Sequence, residues 1–292
     1  MRLGFVGYGE AAYEMSKGLS EEGVCNMVAY DHLWDDFSIG QTIKERSIEA
    51  SVELKYSLAS VVENVDILIV AVPADKAYAV CESILPYLRG NELYVDVSAS
   101  SPDIKRAMDT VLKNKKVPFV DIAMMGPLSV YKHKVPILAS GEGADRFYDA
   151  MSSYGMVIEK VSDNAGDASA TKLIRSIFMK GISTLLMEML VAATHFEVED
   201  KVVDSIAETM DKSNFMTTMN RLITGTAIHS GRRSAELDGT LKMLKDTKLD
   251  YTMTIATKST LDAITKLELR NEFNGIKPET WKEVITAVNN NK

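Results

Sequence analysis

From residue 3 to about residue 161, short apolar runs alternate with segments of helical period, the pattern of parallel strands buried on both faces and joined by crossover helices. Residues 3–6, 27–30, 48–52, 66–72, 92–97, 117–122, 136–140 and 156–161 read as strands. Punctuation places the helices between them. Pro102-Asp103 opens one, Gly143-Ala144-Asp145 opens another, and Pro73 stops the fourth strand at its carboxyl end. After Ser162-Asp163-Asn164-Ala165-Gly166 the alternation ceases, and nearly all of the remaining chain has a 3.6-residue period. The pattern predicts an α/β domain over 1–163 and an all-helical domain over 164–292. Asn164 is expected to cap a helix from about Gly166 to His195, roughly 45 Å long at about 1.5 Å per residue.

Composition narrows the classes. With 292 residues and 46% hydrophobic content the chain can bury a large core. A net charge of −8 argues against nonspecific nucleic-acid binding, which needs cations to neutralise phosphates. Cys25 and Cys81 lie in apolar surroundings without Cys or His at metal spacing, so both are expected to be buried, reduced thiols, with no metal site and a cytoplasmic setting. The first strand starts at Leu3, which leaves no room for a signal peptide. The apolar stretch 177–193 contains Lys180 and Glu188 and is read as a core helix, not a membrane span, and a homodimer burying it is expected.

The first strand runs into Gly7-Tyr8-Gly9-Glu10-Ala11-Ala12, and Asp31 ends the second strand about 20 residues further on. Gly7 suits a tight turn, Gly9 a close approach of backbone to a pyrophosphate, and Ala12 close packing of helix on strand, so phosphates would sit at a helix N-terminus. Asp31 would accept the ribose hydroxyls and repel a 2′-phosphate. No arginine lies in 31–36 to offset it, so NAD is expected over NADP. The fold class is thus a Rossmann-type doubly wound sheet followed by an all-α C-terminal domain. Val72 and Pro73, at a strand's carboxyl end, are further cofactor candidates.

Four ordered motifs resemble the β-hydroxyacid dehydrogenases, the group that includes 6-phosphogluconate dehydrogenases: Gly7 to Ala12; Asp96-Val97-Ser98-Ala99-Ser100-Ser101-Pro102; Asp121-Ile122-Ala123-Met124-Met125-Gly126-Pro127; and Gly166-Asp167-Ala168-Ser169-Ala170-Thr171-Lys172. The stretch from His229 to Asp246 resembles a less-characterised branch with an unassigned C-terminal domain. The resemblance implies hydride transfer between a nicotinamide cofactor and a small hydroxy acid, a related alcohol or its carbonyl, in a cleft between the domains. It assigns Lys172 as general acid or base, Ser98, Met125 and Gly126 to the substrate, and Lys245 to the cofactor. Two positions depart from the family pattern. Met125 stands where a hydroxyl donor is expected, and Ser176 where an asparagine follows the lysine. Met179 replaces the glutamate that decarboxylating relatives carry seven residues after the lysine, so oxidation or reduction without decarboxylation is expected.

On a helix, Lys172, Ser176, Met179 and Ser183 share one face, so an amine and two hydroxyls can point into one site. Lys172 on a solvated helix end is the plainer alternative. Ser98 could donate to a substrate oxygen or cap the helix that opens at Pro102. His229, Arg232 and Arg233 form a cationic cluster suited to an anionic substrate group, or a salt-bridged helix beside Glu236 and Asp238. Lys245 has the alternative of a surface segment in which Lys242 pairs with Asp246. Lys180 and Glu188 could be functional or could meet partner residues across a helix interface, and structural pairing is the favoured reading. Two other functions stay open: a nucleotide-binding sensor or scaffold without turnover, and a reductase of C=N bonds.

Overall fold

The computed structural model describes residues 1–291. Eight strands, β1 (Leu3–Val6), β2 (Met27–Tyr30), β3 (Glu53–Leu54), β4 (Ile67–Val70), β5 (Leu93–Asp96), β6 (Phe119–Met124), β7 (Ile137–Ser140) and β8 (Ile158–Ser162), form one sheet in the order β3-β2-β1-β4-β5-β6-β7-β8. All neighbours are parallel except β6 and β7, where the chain turns back. Between them lie α1 (Glu10–Glu21), α2 (Gly40–Glu49), α3 (Leu58–Val62), α4 (Ala77–Ile84), α5 (Pro102–Lys113), α6 (Leu128–Tyr131) and α7 (Ala144–Met151). Then come α8 (Asp167–His195), α9 (Glu199–Asp211), α10 (Phe215–Asp246), α11 (Thr252–Lys266), α12 (Leu269–Glu272) and α13 (Trp281–Asn290). The chain forms two compact units, Met1–Ser176 and the remainder from Ile177, so the division falls inside α8, beyond the strand-to-helix change expected at 163.

Strand side chains alternate between two cores. Leu3, Phe5, Ile67, Ile69, Leu93 and Val95 enter one. Val6, Leu68, Val70 and Tyr94 enter the other, as period-2 geometry requires of strands covered on both faces. In the second unit Ala227 of α10 packs with Leu269, Val284 and Ala287. A capping box of Thr280 and Glu283 starts α13.

Three expectations fail locally. Residues 48–52 are not a strand: α2 runs through Glu49, burying Ile43 and Ser47 and leaving Ile48 78% exposed, and the next strand is only Glu53–Leu54. Cys81 is buried, and burial pushes its thiol up to about 12, but Cys25 is exposed in the loop before β2. Helix α8 is not a core helix of its own chain. It is long and apolar enough to cross a membrane, yet only 6% of its most apolar window is buried.

Candidate functional site

The strand order reverses between β1 and β4, and a cavity of about 910 Å³ opens there, lined among others by Gly7, Gly9, Asp31, Arg46, Val72 and Pro73. Gly7 has φ +81°, and a Cβ on it would lie 2.5 Å from the Ala71 carbonyl oxygen, so only glycine fits this turn. At Gly9 a Cβ would meet nothing within 4 Å, which leaves open space in front of α1. No side chain caps α1, so the N–H groups of Glu10, Ala11 and Ala12 have no partner within the helix, and the positive end of its dipole faces this space. Ala12 is fully buried against the sheet.

Tyr8 lies outside the cavity. Its ring is fully buried, its hydroxyl lies 2.7 Å from Ser16 Oγ, and burial raises the phenol to about 12. Its N–H donates to Asp31 Oδ2 at 2.6 Å, and Leu33 N–H donates to Asp31 Oδ1 at 2.9 Å. Asp31, 9% exposed, therefore ties the glycine turn to the end of β2 and keeps spare lone pairs for ribose hydroxyls. These features fit a dinucleotide: open space over Gly9, free amides at α1 and an acceptor at the ribose end. Arg46, from α2, lines the same cavity, with its guanidinium carbon 5.3 Å from the centroid of the Tyr13 ring. No arginine lies in 31–36, as expected, but Arg46 from a different helix lines the same cavity as Asp31.

Where the carboxyl end of β5 pairs with the middle of β6, the charges are fully buried. Asp96, Lys105 and Asp121 each have 0% exposure. Lys105 Nζ donates to Asp96 Oδ1, to the Asp96 carbonyl oxygen at 3.2 Å, and pairs with Asp121 Oδ1 at 3.1 Å. Ser98 donates its hydroxyl to Asp96 Oδ1 at 2.5 Å and lies 2.8 Å from Ser100 Oγ. The cap of α5 is Ser101, not Ser98. Asp121 accepts from Ser169 N–H at 2.9 Å and from Ser169 Oγ at 2.6 Å, while Ala168 N–H donates to Ser140 Oγ at 2.9 Å. The first turn of α8 is thus capped by β6 and β7. Asn164 contributes its carbonyl to Asp167 N–H, and its side-chain amide reaches only the Asp167 carboxylate, so it is not the expected side-chain cap.

Lys172 follows Ser169 by one turn, on the same side of α8. It is half-buried, and burial, reinforced by the Lys105 charge and opposed by Asp121, holds its ammonium below the usual lysine range. Ser176 is half-buried one turn further on. Met125 and Gly126 are partly exposed just beyond β6, where Met125 N–H donates to the Pro136 carbonyl at 2.8 Å.

The second unit holds the remaining candidates. Arg232 pairs with Glu236 at 2.7 Å, one turn along α10. Arg233 folds back onto its own helix, donating to Thr226 Oγ1 at 2.5 Å. Lys245 is exposed, with its ammonium 5.4 Å from the centroid of the Tyr251 ring, and Lys242 pairs with Asp246 at 2.6 Å. Arg232 is thus paired along the surface of α10, and Arg233 is hydrogen-bonded to its own helix. Glu188 caps α11, accepting from Met253 N–H at 2.7 Å and from Thr254 N–H at 2.9 Å, so it pairs with a helix end and not with Lys180.

Residues 2–161, more than half of the chain, match the NAD binding domain of 6-phosphogluconate dehydrogenase. The chain belongs to this family. Residues 193–264 match a domain of unknown function. An uncharacterised 28.5 kDa protein from Methanothermus fervidus is 27% identical over 261 residues, covering 89% of this chain and 97% of that protein. A conserved protein of unknown function, described as structurally similar to 3-hydroxyacid dehydrogenases, is 28% identical with a TM-score of 0.64, covering 94% of this chain and 100% of that one. An imine reductase from Myxococcus stipitatus, a variant in complex with NAD+, has a TM-score of 0.75 at 16% identity over 91% of this chain and 94% of its own, a likeness of fold. The same enzyme is also solved with NADP+. The family match makes this an NAD(P)-binding chain with a dehydrogenase-like fold, and its likeness to the imine reductases is one of fold.

Two residues of this family member escaped the linear reading. Arg46 reaches the cavity from a different helix, and no spacing rule ties it to Asp31. Lys105 carried a usable signal: Lys105, Met108, Asp109 and Leu112 form the inward stripe of α5, so a lysine occupies a core-facing position.

Proposed function

We propose that the chain is an oxidoreductase that moves a hydride between a nicotinamide dinucleotide and a small hydroxy acid, a related alcohol or its carbonyl, without decarboxylation. NAD(P), when bound, accepts or supplies the hydride. The residues of the chain handle the proton. In the oxidative direction the neutral Lys172 amine takes the hydroxyl proton as the C–O bond becomes C=O, and in the reverse direction the ammonium returns it. The observation that carries this reading is a half-buried lysine on the first turns of α8 whose ammonium is disfavoured by its surroundings, which brings its proton affinity toward neutrality as general acid–base work requires. Ser98 lies at the end of β5, close in sequence to the triad, and Ser176 on the Lys172 face of α8, both placed to orient a substrate oxygen.

The test is Lys172→Met. Turnover should fall by about 10²- to 10⁴-fold with the dinucleotide dissociation constant unchanged. Near wild-type kcat with only KM raised would mean that Lys172 binds substrate and the proton travels elsewhere. If a panel of hydroxy acids, carbonyls and imines gives no change in nicotinamide absorbance, the sensor or scaffold reading replaces this one. Reduction of C=N bonds is favoured as a second reading by one observation: Arg232 and Arg233 are both engaged within α10, and Met125 offers no donor hydroxyl for a carboxylate. Turnover of imines with none of hydroxy acids would select it. The chain is proposed to act in the cytoplasm as a homodimer through α8, with no nucleic-acid or membrane partner.

A further inference from the structure

Burying three charged side chains is costly, and apolar residues of similar volume would serve stability about as well. The triad of Asp96 at the end of β5, Asp121 within β6 and Lys105 on α5 therefore calls for an explanation other than stability. At the lysine, Nζ donates to Asp96 Oδ1 and to the Asp96 carbonyl, and it lies 3.1 Å from Asp121 Oδ1 as an ion pair. The carboxylates reach outward to the reaction centre. Asp96 Oδ1 also holds the N–H and hydroxyl of Ser98, at 3.1 and 2.5 Å. Asp121 holds the N–H and hydroxyl of Ser169, one turn before Lys172. One oxygen, Asp96 Oδ2, is buried without any hydrogen-bond partner, a cost that a purely structural network would have relieved.

We propose that Lys105 is a positioning residue of the reaction centre: by gripping Asp96 and Asp121 together it holds the Ser98 hydroxyl and the Lys172-bearing turn of α8 in one fixed arrangement. This rests on Lys172 being the proton-transfer group. Because Asp121 both pairs with Lys105 and holds Ser169 one turn before Lys172, the charge of Lys105 is coupled through that carboxylate to the surroundings in which Lys172 is protonated. The charged groups that act on Lys172 are Lys105 on α5, which opposes its protonation, and Asp121 on β6, which favours it.

The experiment uses the full-length chain without dinucleotide and follows the labelling of Lys172 by an amine-selective acylating reagent across pH, read by mass spectrometry of its peptide. Because only the neutral amine reacts, the midpoint reports the proton affinity of Lys172 whether or not it is catalytic. Lys105→Met removes the opposing charge and leaves Asp121 unbalanced, so the midpoint should rise by about one pH unit or more. Asp121→Asn, nearly isosteric, should move it down, and Lys105→Arg should leave it close to wild type. Where Lys105→Met fails to fold, the Asp121→Asn and Lys105→Arg pair carries the test. With the dinucleotide bound, the pH profile of turnover should move in the same directions as the labelling. Midpoints that stay put in Asp121→Asn, or move the same way in it as in Lys105→Met, overturn the proposal and leave the triad structural. A Lys172→Met variant with wild-type turnover overturns the functional reading instead, and the labelling midpoints still report on Lys105.

Discussion

At Asp31 one carboxylate has two duties. Its oxygens already accept the Tyr8 and Leu33 amides, so it is a structural tie between β2 and the glycine turn before it touches any ribose. Its charge still disfavours a 2′-phosphate, while Arg46 on the wall of the same cavity favours one. Two N–H groups fix Asp31 at the end of β2, and NAD is expected to bind more tightly than NADP in isothermal titration. Arg46→Ala then changes NAD affinity little. Should wild type prefer NADP and Arg46→Ala lose that preference, Arg46 governs the choice and the expectation is reversed. Asp31 was readable because the motif fixes its distance from the glycines along the chain. Arg46 was not, because only the packing of α2 brings it there.

Helix ends follow the same division. The caps of α5, Ser101 in place of the expected Ser98, and of α13, where Thr280 and Glu283 form a box, are local. These caps act within one turn, so local residues suffice. The cap of α8 is tertiary, from Ser140 and Asp121, and so is that of α11, from Glu188. Removing a carboxylate that serves two N–H groups leaves both without their acceptor. Glu188→Ala should cost about 1–3 kcal/mol in urea unfolding, and Lys180→Ala, by contrast, should be close to neutral. An equal effect of both would restore the expected Lys180–Glu188 partnership. The failed strand at 48–52 has a related cause: Ile48 is apolar but solvent-facing, and the inward stripe of α2 runs through Ile43 and Ser47 instead.

For the molecule as a whole, α8 is the exception to apolar burial. Ile177 is 74% and Met187 63% exposed, and Phe178, Leu185, Leu186 and Val191 are also in contact with solvent. A single chain with that much contiguous apolar surface needs a cover. A second copy supplies one by symmetry, and sedimentation should find a dimer at micromolar concentration. Paired substitutions Ile177→Glu and Met187→Glu should dissociate it while leaving NAD binding at the β1–β4 cleft intact. A monomeric wild type that partitions onto lipid vesicles would show that α8 meets a membrane instead.

The sequence by itself determined the alternation of strand and helix to about residue 161 and the glycine turn with Asp31, because each depends on periodicity or on a spacing that a single turn or crossover imposes, and Lys172 was reached through the family resemblance of the last motif. The tertiary structure decided what those residues touch. It reversed β7 against β6, enclosed Lys105 between two aspartates far from it in sequence, drew Arg46 to the cofactor cleft, engaged Arg232 and Arg233 on their own helix, and left α8 uncovered. Burial and charge pairing depend on which elements become neighbours, and that information lies in the packing of the whole chain.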